Sequence, residues 1–307
     1  MKRTAIIAAL CAVAGQASAC SVCIANALGA GLAAIGAQTL PKGMAVWGLS
    51  YFSFSKSQIA VAEEEGGKHP MFAAGPREVH WQSQYNLDVA YGISNMLMVQ
   101  ANVPYVTRSL QAPDSAPVNT AGLGDCTLGL TWQMKPRWGD KALIAFTGDV
   151  KFATGQNSMK DSGGNLLDEH AQIGTGSTDY TLGVRATSEV GRGLAFAGLR
   201  YRVSGENGRG FRYGNVTFYN VGYSMTLDEQ SSLILEFTGR IAERDRVGDG
   251  TKDPESGGHL GFLSLSARRS LGGGLGLIAS YQTPLVRKLN GTQSESSMFT
   301  LGLTGKF

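Results

Sequence analysis

Few residues of this sequence are placed to do chemistry. Cys20 and Cys23 form a Cys-x-x-Cys pair directly after the small residues Ala17, Ser18 and Ala19. Such a pair can close a disulfide in an oxidising compartment, act as a redox centre, or supply half of a zinc site; no His follows Cys23, as haem attachment would require. The disulfide is the simplest of these readings. Lipidation of Cys20 is disfavoured, because Ala17 stands where a lipoprotein signal usually has a bulky residue. The four histidines, His69, His80, His170 and His259, are scattered, and none is paired by spacing with a nucleophile. No enzyme activity and no cofactor are therefore expected. The run Glu63, Glu64, Glu65 and the acidic residues between 243 and 255 could bind divalent cations, but loop charge of this kind is ordinarily solvated, so no metal site is expected. Met96 and Met98 read as packing residues rather than copper ligands.

The elements around these residues point to a membrane. Residues 1–19 have the layout of a cleaved secretion signal: Lys2 and Arg3, an apolar run over 5–15, and the small residues before Cys20. Without Lys2 and Arg3, 27 basic against 24 acidic residues becomes 25 against 24, and a formal +3 becomes +1. That balance excludes nucleic acid as a partner. Residues 20–42 form a distinct segment, with weak helical spacing (Ile24, Leu28, Leu32, Ile35) stopped at Pro41. After residue 43 the chain holds 42 glycines less those few upstream, many aromatics, and no apolar run of about 18 residues that could span a bilayer as a helix.

What it has instead is period-two alternation. In 79–93, Trp81, Tyr85, Leu87, Val89 and Tyr91 alternate with His80, Gln82, Gln84, Asn86, Asp88 and Ala90, and rings stand at both ends of the apolar face. Similar strands are expected over 44–54, 96–107, 124–134, 141–153, 178–188, 193–204, 213–226, 231–241, 258–268, 275–286 and 297–307. The segments between them alternate strictly between long or polar (55–78, 108–123, 154–177, 205–212, 242–257, 287–296) and short (94–95, 135–140, 189–192, 227–230, 270–274). A sandwich has no reason to sort its connections this way. The expected fold is all-β: a membrane-spanning, up-and-down antiparallel β-barrel of about twelve strands, with short periplasmic turns and long extracellular loops, over residues 43–307.

Alternation assigns the second face to the lumen. The expected pore-lining residues are Gln82, Gln84 and Asp88 on one strand, and Arg185, Arg200, Arg202, Glu236 and Arg240, which neighbouring strands would bring to one wall as a constriction. Gln100, Asn102, Asp125, Asp149, Lys151 and Asp179 are among the further inward positions. About twelve strands enclose a lumen between the side-chain-filled eight-stranded barrels and the open porins.

Two resemblances sharpen this reading. Residues 297–307 alternate to a terminal Phe307, and this ending resembles the sorting signal of bacterial outer-membrane barrels. It implies the assembly machinery as a partner, outer-membrane lipid and lipopolysaccharide as surroundings, and a Gram-negative outer membrane with both mature termini in the periplasm. No His lies in the His-x-Ser-Asn-Gly arrangement of barrel phospholipases. Residues 101–106 (ANVPYV), 122–130 (GLGDCTLGL), 173–180 (IGTGSTDY) and 282–291 (QTPLVRKLNG) resemble the signatures of the outer-membrane transporter family associated with the meta-pathway of phenol degradation. That resemblance implies a channel for small, often aromatic, solutes. The Cys20/Cys23 pair is not part of the pattern, and leaves open a redox or metal-handling module anchored by the barrel; a non-conducting recognition barrel is the remaining alternative.

Overall fold

The computed structural model describes residues 36–59, 77–111, 117–136, 141–161, 163–291 and 293–306. Alternation of apolar and polar residues, rich in β-branched and aromatic types, gives the strands β1 (Ala45–Ile59), β2 (Arg77–Ser94), β3 (Leu97–Gln111), β4 (Val118–Leu123), β5 (Thr127–Met134), β6 (Ala142–Lys151), β7 (Asp179–Val190), β8 (Gly193–Val203), β9 (Val216–Thr226), β10 (Ser231–Ala242), β11 (Gly258–Gly272), β12 (Leu275–Leu289), β13 (Ser294–Glu295) and β14 (Met298–Lys306). Every pairing is antiparallel, and β1 bonds both β2 and β14, which closes the sheet. β4 and β5 both pair with β3 on either side of a break at 124–126, and β13 and β14 both pair with β1. The ring therefore has twelve staves, with β4–β5 and β13–β14 as two interrupted ones.

Closure is what permits this chain to meet lipid, since each backbone N–H and C=O is satisfied by a neighbouring strand and no edge is left. The outward face is correspondingly apolar: Leu87, Leu128, Leu182, Leu199, Leu265 and Leu301 are exposed. Aromatic rings join them, including the stacked pair Trp132 and Phe146 and the tilted pair Tyr51 and Tyr85. Among the described residues no helix is long and apolar enough to cross a membrane.

The connections sort to the two ends as the sequence predicts. At one end, the turn mouth, β2 passes to β3 and β11 to β12 through two-residue links, the latter Gly273-Gly274 with φ of 59° and 82°. A tight hairpin with both central residues at positive φ is open to glycine at little cost. Both β1 and β14 also begin or end there, paired at Val46 and Lys306. The opposite end, the loop mouth, departs from expectation in its detail. β1, β2, β3 and β12 run several residues further than alternation indicates, and the stretch expected as a loop over 108–123 contains β4. Past the apolar belt both faces are polar, so backbone pairing continues where the hydrophobic signal has stopped.

Candidate functional site: the lumen and its two closures

The period of two that turns leucines outward turns polar residues into the barrel, where most are buried by one another. Along β2 the inward side chains form a ladder: Gln82 Nε2 donates to Gln84 Oε1 (3.4 Å) and Gln84 Nε2 to Asn86 Oδ1 (2.7 Å). Asn102 Nδ2 on β3 donates to Asp88 Oδ1 at 2.8 Å, and Gln100 Nε2 to Asp149 Oδ1 on β6 at 3.3 Å. The amide-rich wall of β2 and β3 thus runs into a more highly charged one. Arg185 on β7 shares its surroundings with Asp149, Arg200 and Glu236, and Glu236 accepts from Asn220 Nδ2 at 2.8 Å. Next to them the guanidinium carbons of Arg200 and Arg202 lie 5.7 and 5.2 Å from the centroid of the Phe218 ring. Arg185 Nη1 and Arg200 Nε are buried and make no hydrogen bond among the described residues.

The eight residues expected to line a pore all lie on inward-facing strand positions. Arg185, Arg200 and Glu236 are brought together with Asp149, while Arg202 stands over Phe218. Arg240 is engaged elsewhere: its Nη2 meets Glu295 Oε1 at 2.6 Å, a fully buried pair that reaches from β10 over β11 and β12 to β13. Glu295 falls in a stretch that reads as loop, which is why alternation does not find it. Gln82, Gln84 and Asp88 sit across the ring from the arginines in strand order. The Cys20/Cys23 disulfide candidate, the Glu63–Glu65 run and His69 lie outside the described residues. Cys126 is a half-buried free thiol in the break before β5, and His259 shares a 2.7 Å hydrogen bond with the Tyr219 hydroxyl.

At the loop mouth, residues 154–178 fold into the barrel. Lys151 Nζ is 3.1 Å from Asp125 Oδ2 and 3.0 Å from Asp179 Oδ2, and all three side chains are buried. Asp125 also accepts from Thr175 N (2.9 Å), Thr175 Oγ1 (2.6 Å) and Gly155 N (2.9 Å), while Asp179 accepts from Ser177 Oγ and Gly205 N, both at 3.0 Å. Two of the stretches with the family-like signature, 122–130 and 173–180, meet in this knot, and 101–106 touches it through Gly124 N and Pro104 O at 2.8 Å. The loop is further tied down by Arg108, which donates to the carbonyls of His170 and Gln172, and by Thr120, which donates to that of Ala171.

Above the knot a single 3₁₀ turn, Glu169–Ala171, is capped by Asp168. Glu169 forms a bidentate pair with Arg209 (2.7 and 2.6 Å), which raises the guanidinium's pKa. His170 packs edge-on against Phe211 and Tyr213 and faces Asp245 and Asp253 of the 243–257 loop. Burial disfavours its imidazolium, but the facing carboxylate of Asp253 and the charges of Asp168 and Asp245 outweigh burial and lift it above the usual histidine range. The facing imidazole in turn holds Asp253 below the carboxylate range, whereas burial pushes Asp245 up. Asp245 is 3% exposed. The expectation that the charges of this loop are solvated is therefore corrected at Asp245: the loops cover one another through backbone bridges between Arg212 and Arg246, and water is displaced from it.

At the turn mouth a segment of the chain is held by different means. Residues 36–42 enter it beside β1. Ala37 N donates to Thr187 Oγ1 on β7 at 2.7 Å, and Thr39 N to Gln133 Oε1 on β5 at 2.7 Å. Leu40 is fully buried with Val46, Ala90 and Met98.

With this geometry in hand, the molecule can be set beside known ones. No family model matches the sequence, and no curated protein does. Among solved structures, it is similar to an outer-membrane channel from Pseudomonas putida F1, with a TM-score of 0.66 and 15% identity over 88% of this chain and 98% of that one. It is also similar to the translocator domain of the autotransporter NalP from Neisseria meningitidis, with a TM-score of 0.53 and 13% identity over 86% and 89%. The likeness is one of fold. The chain has the fold of an outer-membrane β-barrel, and the apolar outer belt, polar lumen and sorted connections described above are that fold's physical marks.

Proposed function

We propose that this barrel is an outer-membrane channel that passes a small solute by diffusion through a narrow polar lumen, with no covalent step and no cofactor. The observation that carries the reading is the wall of Arg185, Arg200 and Arg202 with Phe218: buried guanidinium donors, two of them without hydrogen bonds among the described residues, beside an aromatic face. Buried donors are rarely left unmade in a folded interior. A small aromatic carboxylate would supply oxygens to the forks and a ring to Phe218. The family-like signatures of the phenol meta-pathway transporters, and the likeness in fold to a Pseudomonas channel, support the same direction. In this reading the chain is exported by its signal, inserted by the barrel-assembly machinery, and surrounded by lipid and lipopolysaccharide, with the turn mouth and both mature termini periplasmic.

A second reading, a non-conducting recognition barrel, has one observation in its favour: each mouth is occupied by a segment of the chain itself, 36–42 at one end and 154–178 at the other. Planar-bilayer recording of the refolded mature chain separates the two. The channel should give discrete small steps with anion preference, blocked by benzoate, and Arg185→Ala with Arg200→Ala should shift the reversal potential toward cations. Absence of steps from a folded barrel, with and without residues 20–42, would sink the channel reading.

A further inference from the structure

The loop mouth contains a cluster that the channel reading does not use. His170 Nε2 lies 3.6 Å from Asp245 Oδ2 and 3.9 Å from Asp253 Oδ2, and one ligand atom from each of the three falls within 4.8 Å of the others. The carboxylates are aimed by their second oxygens and their backbones. Asp245 Oδ1 accepts from Gly214 N at 2.6 Å, and its own N–H donates to Ser256 Oγ at 2.7 Å. Asp253 Oδ1 accepts from Glu255 N at 2.9 Å, and Asp253 N donates to Asp245 O at 2.9 Å. The imidazole is held by the two rings against it, by the bond from Tyr213 Oη to Glu169 O at 2.9 Å, and by Arg108 on the His170 carbonyl. Such outer contacts fix the direction of each ligand atom before anything binds.

The second, independent observation is Asp245 Oδ2 itself. It is buried, accepts no hydrogen bond among the described residues, and faces the imidazole of the cluster. A buried carboxylate oxygen without a donor is costly, and a cation is the group that would relieve it. We propose that His170, Asp245 and Asp253 form a three-ligand site for a divalent transition cation, Zn²⁺ or Mn²⁺, that clasps the 154–178 loop to the 243–257 loop.

The donor set fits: one imidazole nitrogen and two carboxylate oxygens are ligands that both ions accept, with further positions left to water. Metal–ligand bonds of about 2.0–2.2 Å bring ligand atoms to roughly 3.4 Å from one another in a tetrahedral site, so the observed spacings of 3.6 Å, 3.9 Å and up to 4.8 Å must contract by between about 0.2 and about 1.4 Å. Asp253, with 27% of its side chain exposed, is the ligand able to move. Lys56 on β1 is close enough to act electrostatically on all three residues. Counted with Asp168, the two ligand carboxylates and an imidazole that gives up its proton on binding, it leaves the cluster at a net charge of −2, which favours a cation. Without a metal the same residues would form only a His–Asp ion-pair triad, and the two cases differ in measurable ways.

The test is calorimetric titration of the refolded, tag-free full mature chain, stripped with chelator, using MnCl₂ and then ZnCl₂. Cys20→Ser and Cys23→Ser are introduced so that thiolates cannot take the zinc. The expected result is one ion per barrel, lost in His170→Gln and in Asp245→Asn by more than the roughly 10–100-fold that removal of an outer-shell partner costs. Asp249→Asn, in the same loop but exposed, should bind as the parent does. The ion should also slow proteolysis within 243–257 in the parent and not in His170→Gln. Binding unchanged in both ligand variants, or no binding by a parent shown to be folded, overturns the site. Should Asp245→Asn fail to fold, Asp253→Asn is read in its place, since its side chain is the more exposed of the two carboxylates.

Discussion

The two mouths of this barrel are closed in opposite ways. At the loop mouth the 154–178 segment is held by charge: Lys151 between Asp125 and Asp179, all buried, with Thr175 and Ser177 filling the remaining acceptor positions. At the turn mouth, residues 36–42 are held by neutral hydrogen bonds to Thr187 and Gln133 and by one small apolar cluster around Leu40. A buried ion cluster contributes little net stability when complete but is expensive to break, because each member left alone is an uncompensated charge. Neutral hydrogen bonds cost about 0.5–1.5 kcal/mol apiece to lose. The loop closure is therefore part of the barrel's architecture, while the turn closure is an occupant that can be removed with the wall left standing.

The largest effect should come from Lys151→Met. It strands Asp125 and Asp179 in the lumen, at a cost of about 3–5 kcal/mol by the behaviour of broken buried pairs. Urea unfolding of the refolded barrel, followed by tryptophan emission, should show the midpoint falling, and the 154–178 loop should become open to protease. Adding Asp125→Asn and Asp179→Asn to Lys151→Met should recover most of that loss. If Lys151→Met leaves the midpoint unmoved, the contrast between the mouths collapses.

Gly174→Ala tests the same closure by shape. A Cβ at Gly174 would sit 2.3 Å from the carbonyl oxygen of Gly155, backbone against backbone. Overpacking of this kind costs about 1–3 kcal/mol. The loop should lift away from the wall, so that conductance rises while unfolding of the barrel changes less than in Lys151→Met. A protein as stable and as closed as the parent would mean that the loop is not seated by this contact.

Much of the architecture was legible because membrane strands obey a simple rule: lipid outside, polar inside, with a period of two. Trp81 to Tyr91 and Phe299 to Leu301 carry that rule openly, and so do the inward Asp149, Lys151 and Arg185. The partners were harder to see. Arg240 finds Glu295 because β13 continues past a break where neither face is apolar. The Lys151 knot is built from Gly, Ser, Thr and Asp, the composition of a solvated loop, and only the fold reveals that it is buried inside a polar lumen instead. The signature-like stretches 122–130 and 173–180 held the clue, since each supplies one of the aspartates. Similarly, Asp245 looks like any loop acid until the 205–215 and 243–257 loops are seen to cover it.

Thr187→Val should have the smallest energetic effect, and it separates the two closures most directly. Valine keeps the volume of threonine but cannot accept the hydrogen bond from Ala37 N, so about 1 kcal/mol of the segment's hold is lost. Nothing in the staves depends on that bond: Thr187 pairs through its backbone with Leu143 and Phe196 regardless of its side chain. The urea midpoint should therefore stay within a few tenths of a kcal/mol of the parent, as for a substitution away from the architecture. The segment, on the other hand, loses a factor of about five in its occupancy equilibrium, since 1.4 kcal/mol corresponds to tenfold. Single-channel records should show the open state visited more often, with unchanged step size, because the arginine wall proposed to line the path is untouched. A matching fall in barrel stability would show instead that residues 36–42 are as integral to the wall as the knot at the other mouth.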